Sequence, residues 1–247
     1  MLKTAVAVIP ARSGSKSILD KNIRLLGGHP LIAYSIILAK LSSEIDRILV
    51  STDSEKYAGI AMKYGAEVPL LRPKELSEDN STDYEFFRHI LDFMKENKEE
   101  APDLFVHLRP TTPLRDVREI DCAIKYMKNN KYASALRSAN KTHLTPYKMF
   151  KKKGEYMEPF LSHNETEFYN LPRQQFEDTY IPNGVVDIVR PSIIESTGLL
   201  HGNNIKLWET TKYPDIDVME DFYYAESCLH NPKFKIILSH LNETKCA

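Results

Sequence analysis

The apolar positions fall into short runs separated by stretches of helical spacing. Ala5 to Ile9 is an apolar run that reads as a buried first strand, followed by a loop of small and charged residues. Leu31 to Leu38 is apolar on most sides, with Pro30 suited to a first helical turn, and predicts a helix packed on a sheet. Asp46 to Ser51 predicts a second strand ending in Thr52-Asp53-Ser54. A helix over 55–64 and a short strand over 68–71 follow. Ser81 or Thr82 caps an amphipathic helix running from Tyr84 through Met94. Strand 102–108, helix 116–129 and strand 133–138 continue the alternation. Asn183-Gly184 reads as a turn before a Val/Ile strand, 218–229 as a helix and 234–238 as a last strand. Strand and helix in alternation predict an α/β fold with a mostly parallel, doubly wound sheet, whose ligands gather beyond the carboxyl ends of the strands.

One segment breaks the pattern. Residues 140–172 lack this periodicity and hold the basic run Lys151-Lys152-Lys153-Gly154. Phe150, Tyr156, Met157 and Phe160 are too apolar for free solvent, so the segment reads as an inserted β-arm or hairpin that carries a partner contact. The 247 residues otherwise form one domain.

Composition narrows the class. Lys and Arg total 33 against 34 Asp and Glu, a net charge of -1, so no global basic field recruits nucleic acid and phosphate binding must come from local clusters. Cys122, Cys228 and Cys246 are far apart, which fits a reducing cytoplasm better than a disulfide framework or a zinc site. The first apolar run is interrupted by Pro10 and Arg12, and the run 31–39 is too short to cross a bilayer, so no membrane span is expected.

Candidate chemistry begins at 8–22. Gly14 permits close backbone approach, Ser13 and Ser15 offer hydroxyls, and Arg12, Lys16 and Lys21 can neutralise phosphate oxygens. The spacing is neither a Walker loop nor a dinucleotide turn. Arg109-Pro110-Thr111-Thr112-Pro113-Leu114-Arg115 follows the strand at 102–108 and points polar groups from a strand end. Asp215 and Asp217 can both face a cation such as Mg²⁺, while Asp217 equally suits the N-cap of the next helix.

Several separated motifs agree. Ile9-Pro10-Ala11-Arg12-Ser13-Gly14-Ser15-Lys16 with Lys21-Asn22 comes first, then Ser51-Thr52-Asp53-Ser54, Arg72-Pro73 with Glu75-Leu76, and 109–115. Arg173-Gln174, Pro182-Asn183-Gly184 and Asp215-Ile216-Asp217 complete the set in order. Over nearly its whole length the chain resembles the acylneuraminate cytidylyltransferase family, the CMP-sialic acid synthetases.

The resemblance implies a Rossmann-like nucleotidyltransferase sheet with a small dimerisation arm at 140–172 reaching the neighbouring subunit's site, hence a homodimer. It implies a reaction joining CTP to the anomeric hydroxyl of a 2-keto sugar acid, with release of pyrophosphate. Arg12, Ser15, Lys16 and Lys21 match triphosphate-binding positions, with Lys21 nearest the transferring group. Ala11, Asn22, Arg72 and Ser81 fall among the nucleotide contacts. Asp215 and Asp217 match the Mg²⁺ site. Arg109, Thr111, Thr112, Arg115, Arg173, Gln174, Asn183 and Asp187 fall on the sugar side, where a guanidinium suits a carboxylate. Three residues depart from the pattern: Arg109 stands where Gln is typical, Asp187 where an aromatic is usual, and Ser17 where Gly is frequent. A cation for an amide changes which substituents the pocket accepts, so the sugar stays open among sialic-type acids, legionaminate, pseudaminate and an octulosonate. A sugar 1-phosphate acceptor and a non-catalytic nucleotide-binding module are the competing readings.

Overall fold

The computed structural model describes residues 4–246. In chain order the strands are β1 (Ala5–Pro10), β2 (Leu25–Leu26), β3 (His29–Pro30), β4 (Arg47–Ser51), β5 (Leu104–His107), β6 (Ala135–Thr142), β7 (Phe150–Lys153), β8 (Tyr156–Pro159), β9 (Thr179–Val189) and β10 (Ile205–Glu209). The helices are α1 (Leu31–Leu41), α2 (Glu55–Lys63), α3 (Asp83–Glu96), α4 (Val117–Asn129), α5 (Pro191–Thr197), α6 (Met219–Cys228) and α7 (Lys235–Cys246). One six-stranded sheet runs in the order β10-β6-β9-β5-β1-β4. Only β9 is antiparallel to its neighbours, so the sheet is mostly parallel, as the alternation predicts.

Alternation along β1 divides the core. Ala5, Ala7 and Ile9 join the larger cluster with α1, α4 and α7, while Val6 and Val8 join Phe86, Phe87 and Ile90 of α3 on the other face. Helix α1 is buried on nearly every side, which its unbroken apolar composition requires.

Four local expectations change. Residues 68–71 form no strand: only Glu67 bridges to Leu49, and Pro69 beyond it lacks the N–H that a ladder needs. Asn183-Gly184 is not a hairpin turn but lies inside β9, where the register to β6 shifts. Gly184 takes a φ of +65°, and a Cβ there would stand 3.0 Å from Thr112 Oγ1, so this bend requires glycine. The run 234–238 is the end of a 3₁₀ turn at Phe234 and the first turn of α7, because Phe234, Ile237 and Leu241 point inward at helical spacing while Lys235 and Ile236 stay exposed. Finally, β6 continues to Thr142 and pairs with the start of β9, so the irregular connection grows from two sheet strands. Within it β7 and β8 form an antiparallel hairpin, and Tyr147, Phe168 and Phe176 make mutual ring contacts near its base.

Candidate active site

The loop after β1 crosses the carboxyl edge of the sheet in a conformation that Gly14, at φ +72°, permits. Asp53, at the end of β4, braces it by accepting from Ser13 N–H at 2.7 Å and Ser13 Oγ at 2.6 Å. Asn22 Nδ2 donates to the Arg12 carbonyl at 2.9 Å and closes the loop on itself. The consequence is a cleft of about 430 Å³ with cations on one wall. Arg12, Ser15, Lys16, Ser17, Lys21 and Asn22 line that wall. Arg72, Ser81, Asp83, Phe86, Arg109 and Thr111 line the opposite side.

The segment after β10 is bonded to two residues that line this cleft. Ile216 N–H donates to the Thr111 carbonyl at 2.8 Å, tying the Asp-Ile-Asp stretch to the loop after β5. Lys21 Nζ then donates to the Ile216 carbonyl at 2.9 Å and lies 3.4 Å from Asp217 Oδ1. Residues 195 and 196 positions apart thus meet at one point. Asp217 does not cap α6. Asp221 Oδ2 does so by accepting from both Asp217 N–H and Val218 N–H at 3.0 Å, which leaves the Asp217 carboxylate exposed. Asp215, also exposed, accepts from Thr112 Oγ1 at 3.1 Å.

Counter-charges near the cationic wall are shared. Asp79 pairs with Arg12 at 3.1 Å and also with Lys16, and these two contacts, Lys16 first, hold its carboxyl below the usual range. Arg12 Nη1 also donates to the Ser77 carbonyl at 3.2 Å, so the segment before α3 leans on the phosphate-type loop. Thr82 is the N-cap of α3, whereas Ser81 Oγ donates to the Glu75 carbonyl at 3.1 Å and faces the cleft. Arg72 is buried, donates to Ser51 Oγ and the Ser51 carbonyl, and stacks over Phe86 at 5.0 Å. Burial pulls its pKa down to about 10, so it stays charged at neutral pH.

The sequence-predicted residues divide by position. Arg12, Ser15, Lys16, Lys21, Asn22, Arg72, Ser81, Arg109 and Thr111 reach the cleft. Ala11 contributes no side chain there: it is buried and its N–H is bonded to the Ser51 carbonyl at 2.9 Å. Thr112, Arg115, Asn183 and Asp187 lie beneath the wall rather than on it. Arg115, fully buried, donates to Ser35 Oγ and to the carbonyls of Arg109 and Gly184, while Asn183 Nδ2 donates to Thr210 Oγ1 at 2.7 Å. Arg173 and Gln174 line a separate hollow at the base of the arm that shares no lining residue with the cleft. Asp79, Asp83 and Phe86 are cleft residues that sequence reasoning missed, because an acidic stretch before a helix reads as capping.

A cation-lined cleft at the carboxyl edge of a mostly parallel sheet, tied through Lys21 to the Asp-Ile-Asp segment, is where an α/β protein of this architecture receives a phosphate-bearing ligand. A sequence model of the Cytidylyltransferase family matches residues 6–231, and the chain belongs to that family. It is 33% identical over 187 residues to the N-acylneuraminate cytidylyltransferase of Escherichia coli O18:K1:H7, a match covering 74% of this chain and 41% of that one. It is 42% identical over 125 residues to the CMP-N,N'-diacetyllegionaminic acid synthase of Legionella pneumophila, covering 50% of this chain and 53% of the other. The chain thus spans about half the length of the curated relatives it matches. Its fold is that of a CMP:2-keto-3-deoxy-manno-octonic acid synthetase solved with CTP, at a TM-score of 0.67 and 14% identity over 92% of this chain and 98% of that one.

Proposed function

We propose that the protein transfers the cytidylyl group of CTP to the anomeric hydroxyl of a 2-keto sugar acid, giving a CMP-sugar and pyrophosphate. The observation that carries this reading is the contact of Lys21 with Ile216 and Asp217, which joins the cationic loop to the segment that bears the two carboxylates. Relatives named for coupling CMP to nine-carbon acids support the choice of acceptor class.

The chain's own residues supply charge and alignment. Arg12 and Lys16 neutralise the triphosphate, exchanging Asp79 for phosphate oxygens. The sugar hydroxyl oxygen bonds to the α-phosphorus, the bond from that phosphorus to the bridging oxygen of the leaving pyrophosphate breaks, and the hydroxyl proton is released. Lys21, held by a carbonyl and a carboxylate, points its ammonium at the charge that develops during this exchange. Phe86 and Arg72 offer a flat, apolar and cationic face suited to a pyrimidine.

Asp215 and Asp217 fit a Mg²⁺ ion by donor chemistry, since both are exposed hard-oxygen ligands beside the cleft. Among the described residues no three His, Cys, Asp or Glu side chains stand together as metal ligands, so an ion held by this pair would take the rest of its shell from phosphates and water. When bound, the ion would supply Lewis-acid stabilisation of the phosphates. Asp217→Asn should raise the Mg²⁺ concentration for half-maximal rate about tenfold, and saturation at the wild-type concentration would remove this role.

The second copy enters through the arm. Tyr156, Met157 and Phe160 are exposed on or beside its hairpin, and Arg173 and Gln174 stand away from the cleft of their own chain. A homodimer in which the arm brings Arg173 and Gln174 to the partner's sugar site accounts for both features. Pyrophosphate release from CTP with a panel of 2-keto sugar acids and sugar 1-phosphates, repeated with the other nucleoside triphosphates, tests the activity. Release with sugar 1-phosphates alone overturns the acceptor, and CTP binding without any release favours a non-catalytic module.

A further inference from the structure

Arg109, on the wall facing the phosphate loop, is held by two carboxylates from different elements. Its Nη2 donates to Asp83 Oδ2 at 2.6 Å and its Nη1 to Asp187 Oδ2 at 2.8 Å. Its carbonyl is also bound, by Ser35 Oγ at 3.2 Å and Arg115 Nη2 at 2.6 Å. Asp187 is 1% exposed and its Oδ1 has no partner among the described residues; Arg137 Nε, 3.6 Å from Oδ2, is also without a hydrogen bond. Burying a carboxylate so incompletely satisfied is costly, and the gain here is a guanidinium with a fixed position.

The charge arithmetic matters for recognition. Arg109 already faces two carboxylates, so the group around it offers no surplus positive charge to the carboxylate of a sugar acid. What it offers is a fixed pattern. Arg109 lines the cleft with two of its guanidinium donors committed and others uncommitted, and both contacts of Asp83 with its neighbours are made by Oδ2, which leaves Oδ1 as an acceptor. A neutral substituent that both donates and accepts, such as an acylamino group or a hydroxyl, is complementary to this pair. A second anion is not.

On the reading of the site as a cytidylyltransferase for sugar acids, we infer that Asp187 and Asp83 fix Arg109 as a charge-compensated wall that reads a neutral polar substituent of the sugar, with Asp187 as a positioning residue. The sugar's own carboxylate is then received elsewhere. The opposite assignment, Arg109 as carboxylate receptor, predicts effects of opposite sign.

The test uses the full chain with CTP, Mg²⁺ and two acceptors, N,N'-diacetyllegionaminic acid and 2-keto-3-deoxy-manno-octonic acid, followed by pyrophosphate release. In Asp187→Asn the KM for the preferred acid should rise about tenfold or more, and its advantage in kcat/KM over the other should shrink, while the Kd for CTP measured without sugar stays within about twofold. Preference for the acylamino acid identifies that substituent as the group read, and preference for the octonic acid identifies a hydroxyl. Asp83→Asn, at the exposed first turn of α3, should move acceptor KM and selectivity in the same direction even if Asp187→Asn folds poorly. A lower acceptor KM in Asp187→Asn, or an unchanged ratio between the two acids in both variants, overturns the inference while leaving the activity standing. No turnover by the wild type with any sugar acid overturns the activity and this inference together.

Discussion

Lys16 and Arg109 line the same cleft and both meet carboxylates, but their settings differ. The Lys16 side chain is 82% exposed and leans on Asp79, itself 43% exposed, whereas Arg109 is 24% exposed and bound to the buried Asp187. Exposed pairs of the first kind add little to stability and exchange readily for a stronger anion. Pairs of the second kind resist exchange, since breaking one strands a desolvated charge. One wall is therefore arranged to accept charge from solution, and the other to present a fixed shape.

The contrast can be broken most severely from below the rigid wall. Arg115→Leu takes the Arg115 donor from the Gly184 carbonyl and leaves the Arg109 carbonyl to the longer contact from Ser35 Oγ, and should lower stability by about 3 kcal/mol, read from the urea unfolding midpoint. A midpoint unchanged from wild type would mean that the wall holds itself. On the side of the cationic loop, Lys21→Ala should lower kcat about 100-fold with little change in CTP affinity, because its contact strengthens as charge develops. An unchanged kcat would leave Lys21 as a tether for Ile216 only.

The rigid wall also has an acid sensitivity that begins near neutral pH. His107 is fully buried beneath Arg109, its ring edge-on to Phe86 and Phe87, and burial, then the neighbouring Arg109 and Arg115, hold it well below its ordinary value of 6.5. Below pH 6.5 the unfolded chain takes up a proton at this position that the folded chain refuses, so the stabilising contribution is complete above that pH and is lost as pH falls. The slope is about 1.4 kcal/mol per pH unit at most. Unfolding midpoints at neutral pH and about one unit below pH 6.5 should converge in His107→Phe relative to wild type; an equally steep loss in the variant would place the sensitivity in another group, such as His201 or His89. The smallest effect belongs to Asp79. Removing its charge in Asp79→Asn takes away an internal competitor for Arg12 and Lys16 and should tighten CTP binding about threefold at low salt, with the gain fading as salt rises. Weaker binding would show instead that Asp79 organises the loop.

The first loop is legible because loop chemistry is local: Gly14 for the bend, cations for phosphate, and a strand immediately before them. The helices over 83–96 and 117–129 were legible for a similar reason, since spacing and caps sit within each segment. Local signals failed where two readings share one composition. The apolar run 234–238 suits strand or helix until the spacing of Phe234, Ile237 and Leu241 meets the core. Likewise, Asp217 was an even choice between cap and ligand until Asp221 was found to hold the cap.

From its sequence alone this protein determined its alternating architecture and the cationic loop, because periodicity, turn residues and charge act over a few neighbouring positions. Tertiary structure alone decided that Lys21 meets Asp217, that Arg115 and Asp187 are buried, and that Arg173 stands outside its own chain's cleft. Burial and long-range proximity depend on how whole elements stack, and a single charged residue carries no local mark of which side of a wall it will occupy.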